Sequence, residues 1–191
     1  NYFRESYVSE FPLKYNSGIT ILTDDCKPSR EVQLGFCGRV LLNAFNEVEW
    51  GEANNDKQLV EMGHSIIESF MQNGFTDAGY FFDFVNFNHG TPKSKYVVHT
   101  IRQQSEAVYA MLHYLKYERQ HGRQHKEWEK KMRTVLDNFL TLQKADGSFA
   151  RKYNDAGADI DASGGSTPSA TSTLVMGWKY FGDKRYLAAA E

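Results

Sequence analysis

Cysteine is almost absent from this 191-residue sequence, with Cys26 and Cys37 as its only two. Neither has a CxxC neighbour or a histidine at metal-ligand spacing, so no zinc or redox motif is written in the chain. They read as two small buried residues, with a disulfide left open if the protein is exported. A dominant charge sign is also missing. Lys plus Arg total 22 against 24 for Asp plus Glu, which argues against a nucleic-acid or anionic-membrane partner and for one that is neutral or weakly charged. No stretch approaches the roughly 20 apolar residues of a membrane span, and no basic segment followed by an apolar run marks a signal peptide. An initiating Met is lacking as well. The sequence starts in aromatic, strand-like residues and stops at Glu191 inside a helical pattern, so both ends read as cuts through a longer protein.

What the chain does contain is enough apolar material for a core, 41% of its residues, 14% of the total being aromatic. Its arrangement is repetitive. Val40, Leu41, Ala44, Phe45 and Val48 share one helical face, and Leu59, Val60, Gly63, Ile66, Ile67 and Phe70 share the next, with a polar turn at 51–56 between them. The couple recurs as Ala107, Val108, Met111, Leu112 and Leu115, then Trp128, Met132, Val135, Leu136, Phe139 and Leu140, with Gly122 in the turn. A third begins at Pro168, placed as first helical residue after Thr167 as cap, runs through Leu174, Val175 and Trp178 to a turn at Phe181, Gly182 and Asp183, and restarts at Tyr186 and Leu187.

After each full couple comes a non-helical segment, and Thr76-Asp-Ala-Gly-Tyr-Phe-Phe-Asp aligns with Ala145-Asp-Gly-Ser-Phe-Ala-Arg-Lys. The period is roughly 65 residues, longer than two-helix solenoid repeats, and the excess is this extended insertion. Residues 11–23, with a turn at Asn16, Ser17 and Gly18, read as the tail of an earlier insertion. The first helix of each couple carries polar groups near its start (Arg30, Gln33; His99, Arg102, Gln103, Glu106; Ser169, Thr171), whereas the second is a charged amphipathic helix such as 126–143. That alternation predicts an inner and an outer ring, with the polar starts of the inner helices facing the mouth of a funnel. The fold class expected is mainly α: a partial (α/α) toroid of helical hairpins with short extended rim insertions, the whole of 1–191 being one domain and a fragment of a larger ring.

Leu142-Gln-Lys-Ala-Asp-Gly-Ser-Phe, followed by Gly164-Gly-Ser-Thr-Pro-Ser-Ala-Thr and a helix ending in Tyr180-Phe-Gly-Asp, resembles the six-hairpin glycosidase superfamily over most of residues 30–191. The resemblance implies a toroid of six helix pairs whose mouth binds sugar chains, with Asp/Glu catalysis in its hydrolases and Tyr/His/Arg/Asn chemistry in the related polysaccharide lyases. Gln…Asp-Gly-Ser-aromatic turns also occur in terpene-cyclase-like and lanthionine-cyclase-like toroids. Six couples do not fit in 191 residues, so the remaining part of the toroid is an expected partner and can hold a catalytic group. Export, as secreted or periplasmic protein, is what the superfamily's habits imply.

Inverting glycoside hydrolysis needs an acid and a base carboxylate roughly 6.5–9.5 Å apart. Glu106 is the first candidate, on an inner helix beside apolar Ala107 and Val108, where partial burial suits an acid. The competing reading pairs it with Arg102 at i,i+4. Asp159 and Asp161 alternate in a Gly/Ala/Ser-rich loop at 155–166 leading into the next inner helix, and serve either as the second carboxylate or as turn residues. Asp146 reads as an Asp-Gly turn.

Substrate-binding candidates are His99, Arg102 and Gln103 on the inner helix, Tyr80 and Tyr153 in the insertions, either as ring-stacking platforms or as aromatic packing between adjacent insertions, and Gly165 and Thr167 at a helix start suited to a uronic acid carboxylate or to simple capping. Trp50 is placed at the opposite rim, and Trp128 and Trp178 in the core. His64, His89, His113, His121 and His125 show no face shared with carboxylates, and neither a metal nor another cofactor is expected. The leading expectation is therefore a glycoside hydrolase on a polysaccharide or oligosaccharide. A lyase using His99, Arg102 and Tyr153, or a non-catalytic module that binds a glycan or protein, stands beside it.

Overall fold

The computed structural model describes residues 2–17, 30–35, 39–87 and 98–191 of the chain. The reading of Cys26 and Cys37, and of the turn at Gly18, lies outside them. Three helical couples follow one another: α2 (Val40–Ala53) with α3 (Lys57–Asn73), α4 (Ile101–Gln120) with α5 (Lys126–Leu142), and α6 (Thr167–Phe181) with α7 (Lys184–Ala190). α2 packs on α4 and α4 on α6, so the first helices of the couples form an inner row. The second helices lie outside it. This is the fold of a partial (α/α) toroid, as the alternation of polar-start and charged amphipathic helices requires.

Local sequence explains where these helices begin and end. Asp56 accepts from the backbone N–H of Leu59, capping α3. Gly182 takes the left-handed conformation that closes α6, and Asp183 caps α7 through the Arg185 N–H. The start of α6 departs by one residue from the expected place. Ser166 is the cap position, Thr167 is already helical, and its hydroxyl accepts instead from the Phe149 N–H at 3.2 Å. Likewise α2 runs to Ala53, three residues into the polar stretch read as a turn, and Arg30 and Gln33 belong to the segment before α2 rather than to the helix. Residues 2–6, strand-like in sequence, form the short helix α1 (Tyr2–Ser6).

Couples are held tightly where glycine removes a side chain. A Cβ on Gly63 would stand 2.4 Å from the Ala44 carbonyl oxygen, so α3 crosses α2 at backbone contact. Alanine is the better helix former by about 1 kcal/mol, but a clash with a backbone atom cannot be relieved by rotating a side chain. Gly63→Ala is therefore expected to destabilise by about 1–3 kcal/mol, measured by urea unfolding, and an unchanged midpoint would show that the two helices part freely.

Strands are short and confined to the insertions: β1 (Tyr7–Val8) pairs with β2 (Tyr15–Asn16), β3 (Glu31–Gln33) with β4 (Phe84–Asn86), and β5 (His99–Thr100) with β6 (Lys152–Tyr153), which also pairs with β7 (Asp159–Asp161), all antiparallel. The insertions share one turn. The Thr76 N–H donates to Tyr80 O and the Gly79 N–H to Thr76 O, as Lys144 does to Ser148 and Gly147 to Lys144, and Asn154 to Ala158 and Gly157 to Asn154. Gly79, Gly147 and Gly157 all have φ near +80°, a conformation glycine adopts without steric cost. The hydrogen bonds match Thr76 with Lys144, not Ala145, correcting the sequence alignment of the two insertions by one residue.

One buried group lacks the partners that its neighbours have. Glu47 of α2 is fully buried, and both its carboxylate oxygens, like Asn16 Oδ1, have no hydrogen-bond partner among the described residues. Burial pushes its pKa up to about 7 against a weaker opposing interaction with Asn16. Between the unfolded value near 4.5 and about 7 the folded chain holds a proton that the unfolded chain has lost. Stability therefore falls as pH rises through that window, by about 3 kcal/mol. His99 acts in the same direction, because its raised pKa gives stability that is full below 6.5 and lost as pH climbs through the folded value. Glu47→Gln should flatten the part of the slope due to Glu47 and make the variant more stable than the parent at pH 8. Melting curves at pH 5 and pH 8 measure both effects, and equal slopes in parent and variant would refute the assignment.

Candidate functional site

The starts of α2, α4 and α6 converge on one cavity of about 360 Å³. Leu34, Arg39, Leu41 and Leu42 line it from the α2 side, Ser105, Glu106, Ala107 and Tyr109 from α4, and Ser169, Ser172 and Thr173 from α6. All lie within about three turns of a helix N-terminus. Thr173 also donates its hydroxyl to Ser105 O at 3.0 Å, tying α6 to α4 beside the cavity. Ser169 of α6 and Ser105 and Glu106 of α4 thus line the same cavity.

Among the described residues, Glu106 is the carboxylate of this cavity. Its Oε1 accepts from Arg102 Nε at 2.9 Å, the i,i+4 pair foreseen as the alternative to a catalytic role, and Arg39 Nε stands 3.8 Å from Oε2. Gln103, next to it, accepts from the Gly35 N–H at 3.3 Å through its side-chain oxygen. A Cβ on Gly35 would lie 2.9 Å from Gln103 Cα, so the segment before α2 lies directly on α4. Arg39 itself sits at φ 40°, ψ 39°, a left-handed conformation costly for a residue with a side chain.

The other predicted site residues are placed elsewhere. Asp159 and Asp161 do not line the cavity: Asp159 pairs with Lys144 at 3.0 Å and Asp161 with Arg151 at 3.3 Å. Asp161 also accepts from the Ser163 hydroxyl and N–H, bonds that hold its pKa below the usual carboxylate value. The platform roles of Tyr80 and Tyr153 do not hold, because they are 4% and 1% exposed and their faces are packed. Tyr80 stacks on His99 with centroids 4.3 Å apart, and the Tyr153 hydroxyl accepts from the Ala150 N–H and donates to Leu142 O. Gly165 is exposed and neither it nor Thr167 borders the cavity. Trp50 lies in the last turn of α2, away from the cavity end, while Trp128 and Trp178 are half-buried against the core.

His99 is buried, does not line the cavity and is built into a support. It is 2% exposed, its Nε2 lies 2.8 Å from Asp155 Oδ1, and its Nδ1 faces Asp83 Oδ1 at 3.9 Å, an ion-pair rather than a hydrogen-bond distance. Burial opposes the charged ring, but the two carboxylates outweigh it and hold the pKa above the usual histidine value. Asp83 also accepts from the Thr100 N–H and the Gln104 amide, and Asp155 from the Thr76 hydroxyl. Gln104 in turn accepts from the Phe81 N–H and donates to Phe81 O, acting as a strand would. This cluster locks the two insertions to the start of α4 and so fixes the wall from which Glu106 projects.

Sequence reasoning passed over Tyr109, which lines the cavity and is 39% exposed. Its signal was present, since 102, 106, 109 and 113 fall on one face of a helix. It also placed His125 in a solvated turn without a carboxylate, whereas His125 Nε2 is 2.8 Å from buried Glu118. Among the described residues no group of three or more His, Cys, Asp or Glu side chains could hold a metal, and no helix is long and apolar enough to cross a membrane.

No family model and no curated protein matches the sequence. Solved structures do match its fold. The chain is similar to a D-mannose isomerase at TM-score 0.67 and 12% identity, covering 99% of this chain and 47% of that one. It is similar to the cellobiose 2-epimerase of Bacillus thermoamylovorans at TM-score 0.64 and 18% identity, covering 78% of this chain and 38% of that one. A sugar epimerase from a ruminal bacterium matches at TM-score 0.61 and 14% identity, with 78% and 38% covered. The chain therefore spans less than half the length of these structures and shares the helical-toroid fold of the part it covers.

Proposed function

We propose that the chain carries part of the active site of a carbohydrate-active enzyme, and that a sugar binds in the cavity at the starts of α2, α4 and α6. The carrying observation is that, among the described residues, the cavity holds one carboxylate, Glu106, beside Arg39 at 3.8 Å, and is otherwise walled by hydroxyl and apolar groups. That set suits proton transfer on an open-chain sugar. Glu106 takes the proton from the carbon next to the carbonyl, the electron pair moves to the carbonyl oxygen, and the Arg39 guanidinium stabilises the oxyanion. Return of the proton to the former carbonyl carbon, with the proton of the neighbouring hydroxyl passing to the oxyanion as that hydroxyl becomes the new carbonyl, gives the isomer, which one base can accomplish. Epimerisation needs a second acid on the opposite face. The match in fold to a D-mannose isomerase over nearly the whole chain supports the same reading.

Hydrolysis needs a second carboxylate across the cavity, and Asp159 and Asp161 are engaged by Lys144 and Arg151 instead. The test is incubation of the full-length protein with D-mannose, D-glucose, D-fructose and cellobiose in D2O, followed by NMR. Ketose formation with deuterium at the carbon next to the carbonyl is expected. Release of reducing ends from a polysaccharide with no such exchange would move the assignment to a glycoside hydrolase, and an unsaturated uronide product would move it to a lyase.

A further inference from the structure

The cavity's hydroxyls are largely committed as donors to their own helices. Ser105 donates to Ile101 O at 2.6 Å, Ser172 to Ser169 O at 3.0 Å, and Thr173 to Ser105 O or Ser169 O at 3.0 Å. What these groups turn toward a ligand is therefore oxygen lone pairs, and Glu106 adds further acceptors. A wall of acceptors receives the O–H donors of a neutral polyol and repels a carboxylate or phosphate. The charges of the lining, Arg39 and Glu106, offset each other. Beside them stands Tyr109, the half-exposed aromatic ring of the cavity, braced by His113 with centroids 4.5 Å apart at 53°. A flat apolar face set among acceptors is how a protein holds a pyranose, by stacking on its C–H face while its hydroxyls find partners at the edge.

We propose that Tyr109 is the ring-stacking, specificity-determining residue of a subsite for neutral pyranose sugars; this rests on the sugar-site reading above. The test titrates the full-length protein and its Y109F and Y109L variants with D-mannose, cellobiose and D-glucuronate. Binding is followed by NMR chemical-shift change, and sugar-to-tyrosine proton contacts in the parent protein serve as a readout that needs no variant. Phenylalanine should bind the neutral sugars as the parent does, and leucine about tenfold more weakly. Glucuronate should bind at least about tenfold more weakly than mannose. Neutral sugars binding Y109L as tightly as the parent, without contacts to a tyrosine ring, would overturn the platform and leave the sugar site standing. Glucuronate binding as tightly as mannose would overturn the preference for neutral sugars. If neither neutral sugar binds the parent protein, this inference and the sugar-site reading fall together.

Discussion

Replacing Glu118 with alanine is expected to lower the stability of the fold by about 3–5 kcal/mol, the largest loss from any single charged residue described above. Glu118 is buried in the last turn of α4, and it accepts from Arg123 Nε at 2.8 Å and Nη2 at 2.5 Å and from His125 Nε2 at 2.8 Å. Arg123 reaches on to Glu52 of α2 at 2.9 Å, and Glu52 accepts from the Tyr117 hydroxyl. One carboxylate thus joins the ends of two inner helices to the turn that starts α5. Burial alone would raise its pKa, but the bonds from Arg123 and His125 outweigh it and hold the value below the usual range. A depressed carboxylate gives stability that is present above the unfolded pKa near 4.5 and lost as pH falls through the folded value. The deficit of Glu118→Ala should therefore be full at pH 7 and shrink in acid. In a chain of this size it corresponds to a fall in melting temperature of roughly 10 °C. A variant melting within about 2 °C of the parent at pH 7 would mean that Arg123 and His125 are satisfied equally well by water.

The helix couples could be read in the sequence because each apolar face repeats at helical spacing within a single segment, as Val40 to Val48 and Ala107 to Leu115 do. Polar clusters were harder to foresee, because their members come from distant segments. Glu118 finds partners five and seven residues on, then another through Arg123 in α2, and His99 finds Asp83 and Asp155 in two different insertions. Burial of Tyr80 and Tyr153 has the same origin: each ring is aromatic, extended and near a turn in sequence, and the packing of adjacent insertions decides which way it faces. The one-residue slip in aligning the insertions came from matching Asp77 with Asp146. What the turn conserves physically is the left-handed glycine, Gly79 with Gly147, whose backbone conformation a carboxylate at the neighbouring position does not specify. Within the cavity, the carboxylate was legible from its place on the inner helix, and Asp159 and Asp161 were misplaced because alternation in a loop says which side a residue faces but not where the loop lies.

Glu106→Gln is expected to reduce turnover of a sugar substrate by about 10²–10⁴-fold, the range over which a positioned proton-transfer group acts, while leaving the fold intact. Glutamine keeps the size of the side chain and an oxygen that can accept from Arg102 at 2.9 Å, so the i,i+4 contact survives in part. A partly exposed i,i+4 pair of this kind contributes about 0–1 kcal/mol to stability, and the melting temperature should move little. What the substitution removes is the capacity to take a proton and the negative charge facing Arg39 at 3.8 Å. The two roles open to Glu106 separate on this contrast. As the proton-transfer group, its amide variant loses kcat with KM nearly unchanged, and deuterium exchange into the sugar disappears with it. As a structural partner of Arg102 and Arg39, its amide variant loses stability or raises KM while exchange at saturating sugar continues. Turnover in D2O by Glu106→Gln at the parent rate would leave the cavity as a binding site and assign the proton transfer to a group from outside the described helices.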